Sequence, residues 1–100
     1  MSALPSIRVR SFGPVREIIG TREIEVDIGE CATLLCVLRR LSARFGEPLT
    51  SAILQGDENR ELRPRIRLLV NGRDVAGLRG VATAVGAGDV LTIYPPVSGG

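Results

Sequence analysis

Two glycines, Gly99 and Gly100, close the sequence behind Pro95-Pro96-Val97-Ser98, and this arrangement suits one kind of chemistry. Consecutive prolines favour an extended strut, so the four residues after them are expected to project away from the body. Glycines carry no Cβ, so such a tail can thread a narrow channel and adopt whatever dihedrals the path demands. The group it delivers is an α-carboxylate, ionised at neutral pH because its reference pKa is about 3.3 to 3.7. That carboxylate can attack the α-phosphate of ATP to form an acyl-adenylate, from which a thiol or persulfide displaces AMP. Gly100 is the candidate reacting residue, and Val97, Ser98 and Gly99 are the segment an activating enzyme would recognise. Terminal glycines alone are an ordinary frayed end; the preceding Pro-Pro and the strand that leads into it give the pair its meaning.

The rest of the chain is poorly equipped for catalysis. All thirteen basic residues are Arg, and there is neither Lys nor His. This removes Schiff-base chemistry, the usual general base near neutral pH and the commonest metal ligand. Cys31 and Cys36 are too few for a zinc site without His, and their spacing across a helix start suits a disulfide poorly, so both are expected to pack as free thiols. Gly86-Ala87-Gly88 lacks the helix with Lys and Ser or Thr that a phosphate loop requires. Arg60, Arg63, Arg65 and Arg67 form a basic run interleaved with Glu58 and Glu61, which reads as a solvated surface. No bound cofactor and no metal are expected.

The totals narrow the class further. With 100 residues the chain can build one domain with a modest core. A net charge of +2 lacks the basic excess of a nucleic-acid binder. No stretch approaches the roughly 18 apolar residues of a membrane helix, and residues 1–30 lack the unbroken apolar run of a signal peptide, so a cytoplasmic protein is expected.

The elements that must position the tail follow from periodicity. Ile7 to Phe12 and Arg22 to Ile28 alternate apolar and polar, as half-buried strands do. Gly13-Pro14 and Gly20-Thr21 bracket one helical turn between them, predicting an antiparallel pair. Thr33 can cap a helix whose residues Leu34, Val37, Leu38, Leu41 and Phe45 recur at three and four, ending at Gly46 and Pro48. A second short helical piece is expected over Leu49–Leu54, and a polar, mobile loop over Gln55–Glu61. Ile66–Val70 is a strand turning at Asn71-Gly72, with Arg73 to Val75 as its return. Leu78–Val85 fits neither period. Gly86–Asp89 is a turn feeding the last strand, Val90–Tyr94, which Pro95 ends. The order predicts an α+β, β-grasp arrangement: a mixed sheet of four to five strands packed on one main helix, with the last strand beside the first. Residues 1–96 form this domain, and 97–100 a flexible tail.

On these residues the chain resembles the MoaD/ThiS family of ubiquitin-like sulfur carriers. The most specific part is Gly88-Asp89-Val90-Leu91-Thr92-Ile93-Tyr94-Pro95-Pro96-Val97-Ser98-Gly99-Gly100, with Phe12-Gly13, Thr33 and Val70-Asn71-Gly72 in support. The resemblance implies that an E1-like, MoeB-type enzyme uses ATP to adenylate Gly100, which becomes a thiocarboxylate. Pro-Pro before Val-Ser-Gly-Gly is closer to molybdopterin synthase small subunits than to thiamin carriers. It implies insertion of the tail into a large synthase subunit that holds the catalytic residues. The charged stretch from Gln55 to Arg65 departs from compact members. It leaves open carriers for cysteine synthesis and modifiers conjugated through Gly100 to target lysines. Strand parity adds a candidate partner surface, because Phe12, Leu69, Val90 and Tyr94 should share the sheet face opposite the helix.

Overall fold

The computed structural model describes residues 5–94. Strands β1 (Ser6–Ser11) and β2 (Glu23–Asp27) pair antiparallel, with Ser6 opposite Asp27 and Arg10 opposite Glu23. Between them lies α1 (Gly13–Ile19). Pro14 pre-sets its first turn, and Gly20 at φ 92° closes it by donating its N–H to the Arg16 carbonyl.

The main helix, α2 (Leu34–Phe45), starts at an extended Thr33 whose hydroxyl accepts the Cys36 N–H. Its stripe of Leu34, Val37, Leu38 and Leu41 is fully buried, as the three-and-four spacing requires. Gly46, at φ 81°, ends α2 and opens α3 (Glu47–Ile53), in which Pro48 occupies the first turn. A side chain at Gly46 would strain that corner. The second helix therefore begins two residues ahead of the expected Leu49.

Gln55–Glu61 is not the bare loop expected from its polarity. Strands β3 (Leu54–Gln55) and β4 (Glu61–Leu62) pair antiparallel across a 3-10 turn at Asp57–Asn59. The two leucines that flank the polar run, Leu54 and Leu62, lie opposite each other, and Leu54 is buried. Strand β5 (Arg67–Val70) turns through Asn71 and Gly72, both at positive φ, into β6 (Arg73–Asp74). This is the two-residue Asn-Gly hairpin connection. Residues 75–85 hold two 3-10 turns, Val75–Gly77 and Gly80–Ala82, followed by a bridge from Ala84 to Thr33. Strand β7 (Val90–Tyr94) runs parallel to β1 and antiparallel to β5, giving the order β2-β1-β7-β5-β6. Helices cover one face of this mixed sheet, where Ile7, Val9, Val26, Leu68, Val70, Leu91 and Ile93 meet the α2 stripe. The fold is a ubiquitin-like β-grasp. No helix among the described residues is long and apolar enough to cross a membrane.

The cysteines correct the sequence reading: Cys31 and Cys36 form a disulfide, with Cα atoms 5.5 Å apart. Counting residues along a helix start misses the geometry. The Cys31 N–H donates to the Ile28 carbonyl in a tight turn, and residues 32–34 are then pinned by Leu34 N–H to Thr83 O and Val85 N–H to Ala32 O. The chain doubles back, so Cys31 lies beside the first turn of α2. A reducing compartment would hold the pair as thiols. A separation of 5 residues closes a short loop, for which chain entropy gives a stabilisation of about 2 kcal/mol. In denaturant unfolding without reductant, Cys36→Ser is expected to lose about that amount and to unfold like the reduced parent. A variant as stable as the oxidised parent would contradict the bond's contribution.

Candidate functional site

The register of five strands decides which side chains share the face away from α2. Arg8 lies opposite Glu25 and Val90, Arg10 opposite Glu23 and Thr92, Leu69 opposite Thr92 and Asp74, and Arg67 opposite Tyr94. Since partners across a sheet point the same way, these residues form one surface. The expected set is brought together: Val90 and Leu69 flank Thr92, and the Phe12 ring stacks on Tyr94, centroids 5.0 Å apart and planes within 5°. Tyr94 is 40% exposed, Phe12, Leu69 and Val90 are half-buried, and Thr92 is buried. None of α1, α2 and α3 covers them, because all three pack on the buried face.

Charge borders this apolar strip on both sides. Glu23 lies between the Arg8 and Arg10 guanidiniums at 3.7 and 3.6 Å, and Arg67 Nε meets Asp74 Oδ2 at 3.3 Å. These pairs are exposed, so each contributes well under about 1 kcal/mol. Three guanidiniums and two carboxylates thus lie beside the strip. Spacing alone did not reveal this border, since Arg67 and Asp74 become neighbours only through the β5–β6 hairpin.

A second constellation fixes where β7 starts. Asn71 donates from Nδ2 to Asp89 Oδ1 at 3.0 Å and accepts the Val90 N–H at its Oδ1, 2.9 Å. Asp89 Oδ2 accepts the Gly86 N–H at 2.8 Å, and the Asn71 N–H donates to the Val90 carbonyl at 2.8 Å. Two motifs far apart in sequence, Asn71-Gly72 and Gly88-Asp89, thereby make one clamp. Both were visible as turns, but their joint role was not. Val97, Ser98, Gly99 and Gly100 lie outside the described residues; Tyr94 is the last position the structure places before Pro95. Among the described residues no group of three or more His, Cys, Asp or Glu side chains could hold a metal.

A β-grasp body whose helices leave an apolar sheet face uncovered offers a surface for a partner, and comparison with known proteins gives the class. The sequence matches the ThiS family over residues 9–100. The chain belongs to that family. Small archaeal modifier protein 3 of Haloferax volcanii is 36% identical over 94% of this chain and 98% of its own length. A candidate sulfur carrier protein of Archaeoglobus fulgidus is 38% identical over 82% of this chain and 89% of its own. In the crystal structure of the Amycolatopsis orientalis BexX/CysO complex, the matching chain is 27% identical, covering 94% of this chain and 99% of that one, with a TM-score of 0.76. These relatives are small ubiquitin-like modifiers and sulfur carriers, non-catalytic in themselves, and this chain is of the same kind.

The clamp yields a stability prediction. Asp89→Ala leaves the Gly86 N–H and Asn71 Nδ2 without their acceptor and should cost about 1 to 2 kcal/mol in denaturant unfolding, with the midpoint falling and the slope unchanged. A loss below about 0.3 kcal/mol would show that water replaces the carboxylate without penalty.

Proposed function

We propose that this protein is a sulfur carrier: an E1-like, MoeB-type enzyme adenylates the Gly100 carboxylate with ATP, and a partner's persulfide displaces AMP to give an acyl disulfide, from which a partner thiol releases the Gly100 thiocarboxylate as a new disulfide forms. The observation that carries this reading is the family match, which runs from residue 9 to Gly100 and so includes the Gly99-Gly100 pair. Nucleophile and acceptor chemistry come from partners, because the body offers no His or Lys. Gly100 bears the activated group, with Val97, Ser98 and Gly99 as the recognised segment. The Phe12–Leu69–Val90–Tyr94 strip is the surface on which the activating enzyme seats the body. Delivery of the sulfur to the large subunit of a molybdopterin synthase, in the cytoplasm, is the destination we favour for the carrier.

A second reading has its own support. The 36% identity to small archaeal modifier protein 3 favours conjugation of Gly100 to lysines of target proteins. Both readings begin with the same adenylate and part at the nucleophile that receives the acyl group. With no Lys in the body, a conjugated copy adds as a single unit, because no lysine-linked chain can grow on it.

Deleting Gly100 is expected to abolish ATP–pyrophosphate exchange by the activating enzyme while leaving the unfolding transition in place; retained exchange would refute activation at that residue. After a full cycle with a sulfur donor, intact mass should rise by the difference between one sulfur and one oxygen. Lysine-linked adducts without that rise would select the modifier reading instead. Leu69→Asp places a carboxylate in the strip beside Asp74 and should lower exchange by roughly tenfold or more, the loss expected of a buried charge at an interface core. Unchanged exchange would remove the strip from the docking surface.

A further inference from the structure

We propose that the outer face of α2 is a thiol-exchange site: Cys36 forms a mixed disulfide with a small anionic thiol whose carboxylates pair with Arg39 and Arg40, and Cys31 is the resolving cysteine. The inference does not rest on the adenylation reading.

The two sulfurs differ in access. Cys31 is 8% exposed and belongs to the core, whereas Cys36 is half-buried and lines a groove of about 430 Å³. Thr33, Leu35, Ala43, Arg39 and Arg40 complete that lining. A thiol arriving from solvent therefore meets the Cys36 sulfur first. Cys36 is also the third residue of α2, in the turn whose N–H groups lack intrahelical acceptors. Negative charge is favoured there, and a thiolate with it.

Backbone carbonyls, not carboxylates, place the two guanidiniums. Arg39 donates from Nη2 to the Glu58 carbonyl at 3.4 Å, and Arg40 from Nη1 to the Asp27 carbonyl at 3.5 Å. Arg40 also lies against Gly29, where a Cβ would stand 2.6 Å from its Nη2. Glycine there leaves room for the charged head beside the turn that leads to Cys31. The Glu58 carboxylate is taken by Arg60 at 2.6 Å, and among the described residues no carboxylate pairs with Arg39 or Arg40. The sheet-face arginines Arg8, Arg10 and Arg67, by contrast, all meet acids. Each groove guanidinium thus keeps donors for an outside carboxylate, the acceptor its planar fork matches best. Two such groups beside a disulfide fit a compact ligand that carries both carboxylates and a thiol.

The exchange needs no outside oxidant. The incoming thiol loses its proton and its thiolate attacks Cys36 Sγ. The new S–S bond forms as the Cys31–Cys36 bond breaks, and Cys31 leaves as a thiolate that takes up a proton. In the reduced chain the Cys36 thiolate attacks the disulfide of the anionic thiol and releases one thiol. Cys31 then displaces the second and closes the bond, so two electrons pass from the cysteine pair to the small disulfide.

The test uses the full oxidised chain and two probes, glutathione with net negative charge and cysteamine with net positive charge. The rate at which each opens the Cys31–Cys36 bond is divided by its rate against hydroxyethyl disulfide, a neutral reference that removes differences in intrinsic reactivity. The normalised glutathione rate should exceed that of cysteamine by roughly fivefold or more, as two unit charges near the sulfur allow. Added salt should shrink the ratio. In Arg39→Gln/Arg40→Gln the two probes should become equivalent, while Arg39→Lys/Arg40→Lys keeps most of the preference because its charges remain. Peptide mapping after an acid quench should find glutathione on Cys36. With oxidised glutathione, Cys31→Ser should accumulate that adduct, whereas the reduced parent proceeds to the closed disulfide. A parent indifferent to probe charge, a preference that survives in the glutamine variant, or an adduct carried by Cys31 overturns the proposal.

Discussion

The parallel pairing of β1 with β7 is the interaction on which the rest of the structure depends. Without it the chain offers two separate pieces, the β1–β2 ribbon and the β7–β5–β6 unit, and an isolated hairpin is marginal in water. Strand β7 bonds to β1 on one side and β5 on the other, joining the pieces into a sheet broad enough for α2 to cover. Strands β1 and β7 come from nearly opposite ends of the sequence, so the sheet closes only when the last strand is in place. The strand that completes the fold is also the strand from which the tail leaves, and a tail launched from the centre of a sheet starts from a fixed point.

That coupling explains the weight of polar machinery around β7. The Asn71–Asp89 clamp defines its first residue, and the Phe12–Tyr94 stack closes its last. Between them Leu91 and Ile93 enter the core while Val90, Thr92 and Tyr94 face outward. A slip of one residue would exchange the two sets, placing Thr92 in the core and Leu91 and Ile93 on the surface. The clamp and the core stripe thus enforce one register. The same register aligns the apolar strip with the departing chain.

Much of this was legible in the sequence because it rests on local periodicity. Alternation marked β1, β2 and β7, the three-and-four spacing marked α2, and Asn71-Gly72 marked its hairpin. Parity then put Phe12, Leu69, Val90 and Tyr94 on one face before any pairing was known. What escaped depends on contacts between distant segments. The Cys31–Cys36 bond needs residues 32–34 to be held by residues 83–85, and Leu78–Val85 reads as neither period because its backbone pairs through 3-10 turns and a single bridge to Thr33. The β3–β4 ladder was hidden for the same reason, its two leucines being separated by a polar run. The charged border of the site was equally invisible, since Arg67 meets Asp74 only after the hairpin has formed.

The division of labour between body and tail has a chemical logic. An activated carboxyl must react with one nucleophile and be shielded from all others, and a partner's active site can exclude water and foreign amines but cannot exclude the carrier itself. Whatever nucleophiles the body bears travel with the tail into every complex. A body that builds its positive charge from Arg alone, with no Lys or His, brings no lysine amine and no imidazole to that competition, and a guanidinium keeps its proton near neutral pH. Cys31 and Cys36 are bonded to each other in the structure, and in a reducing compartment they would be thiols. On the adenylation reading, a body without lysine amines leaves the choice among lysine acceptors to the partners.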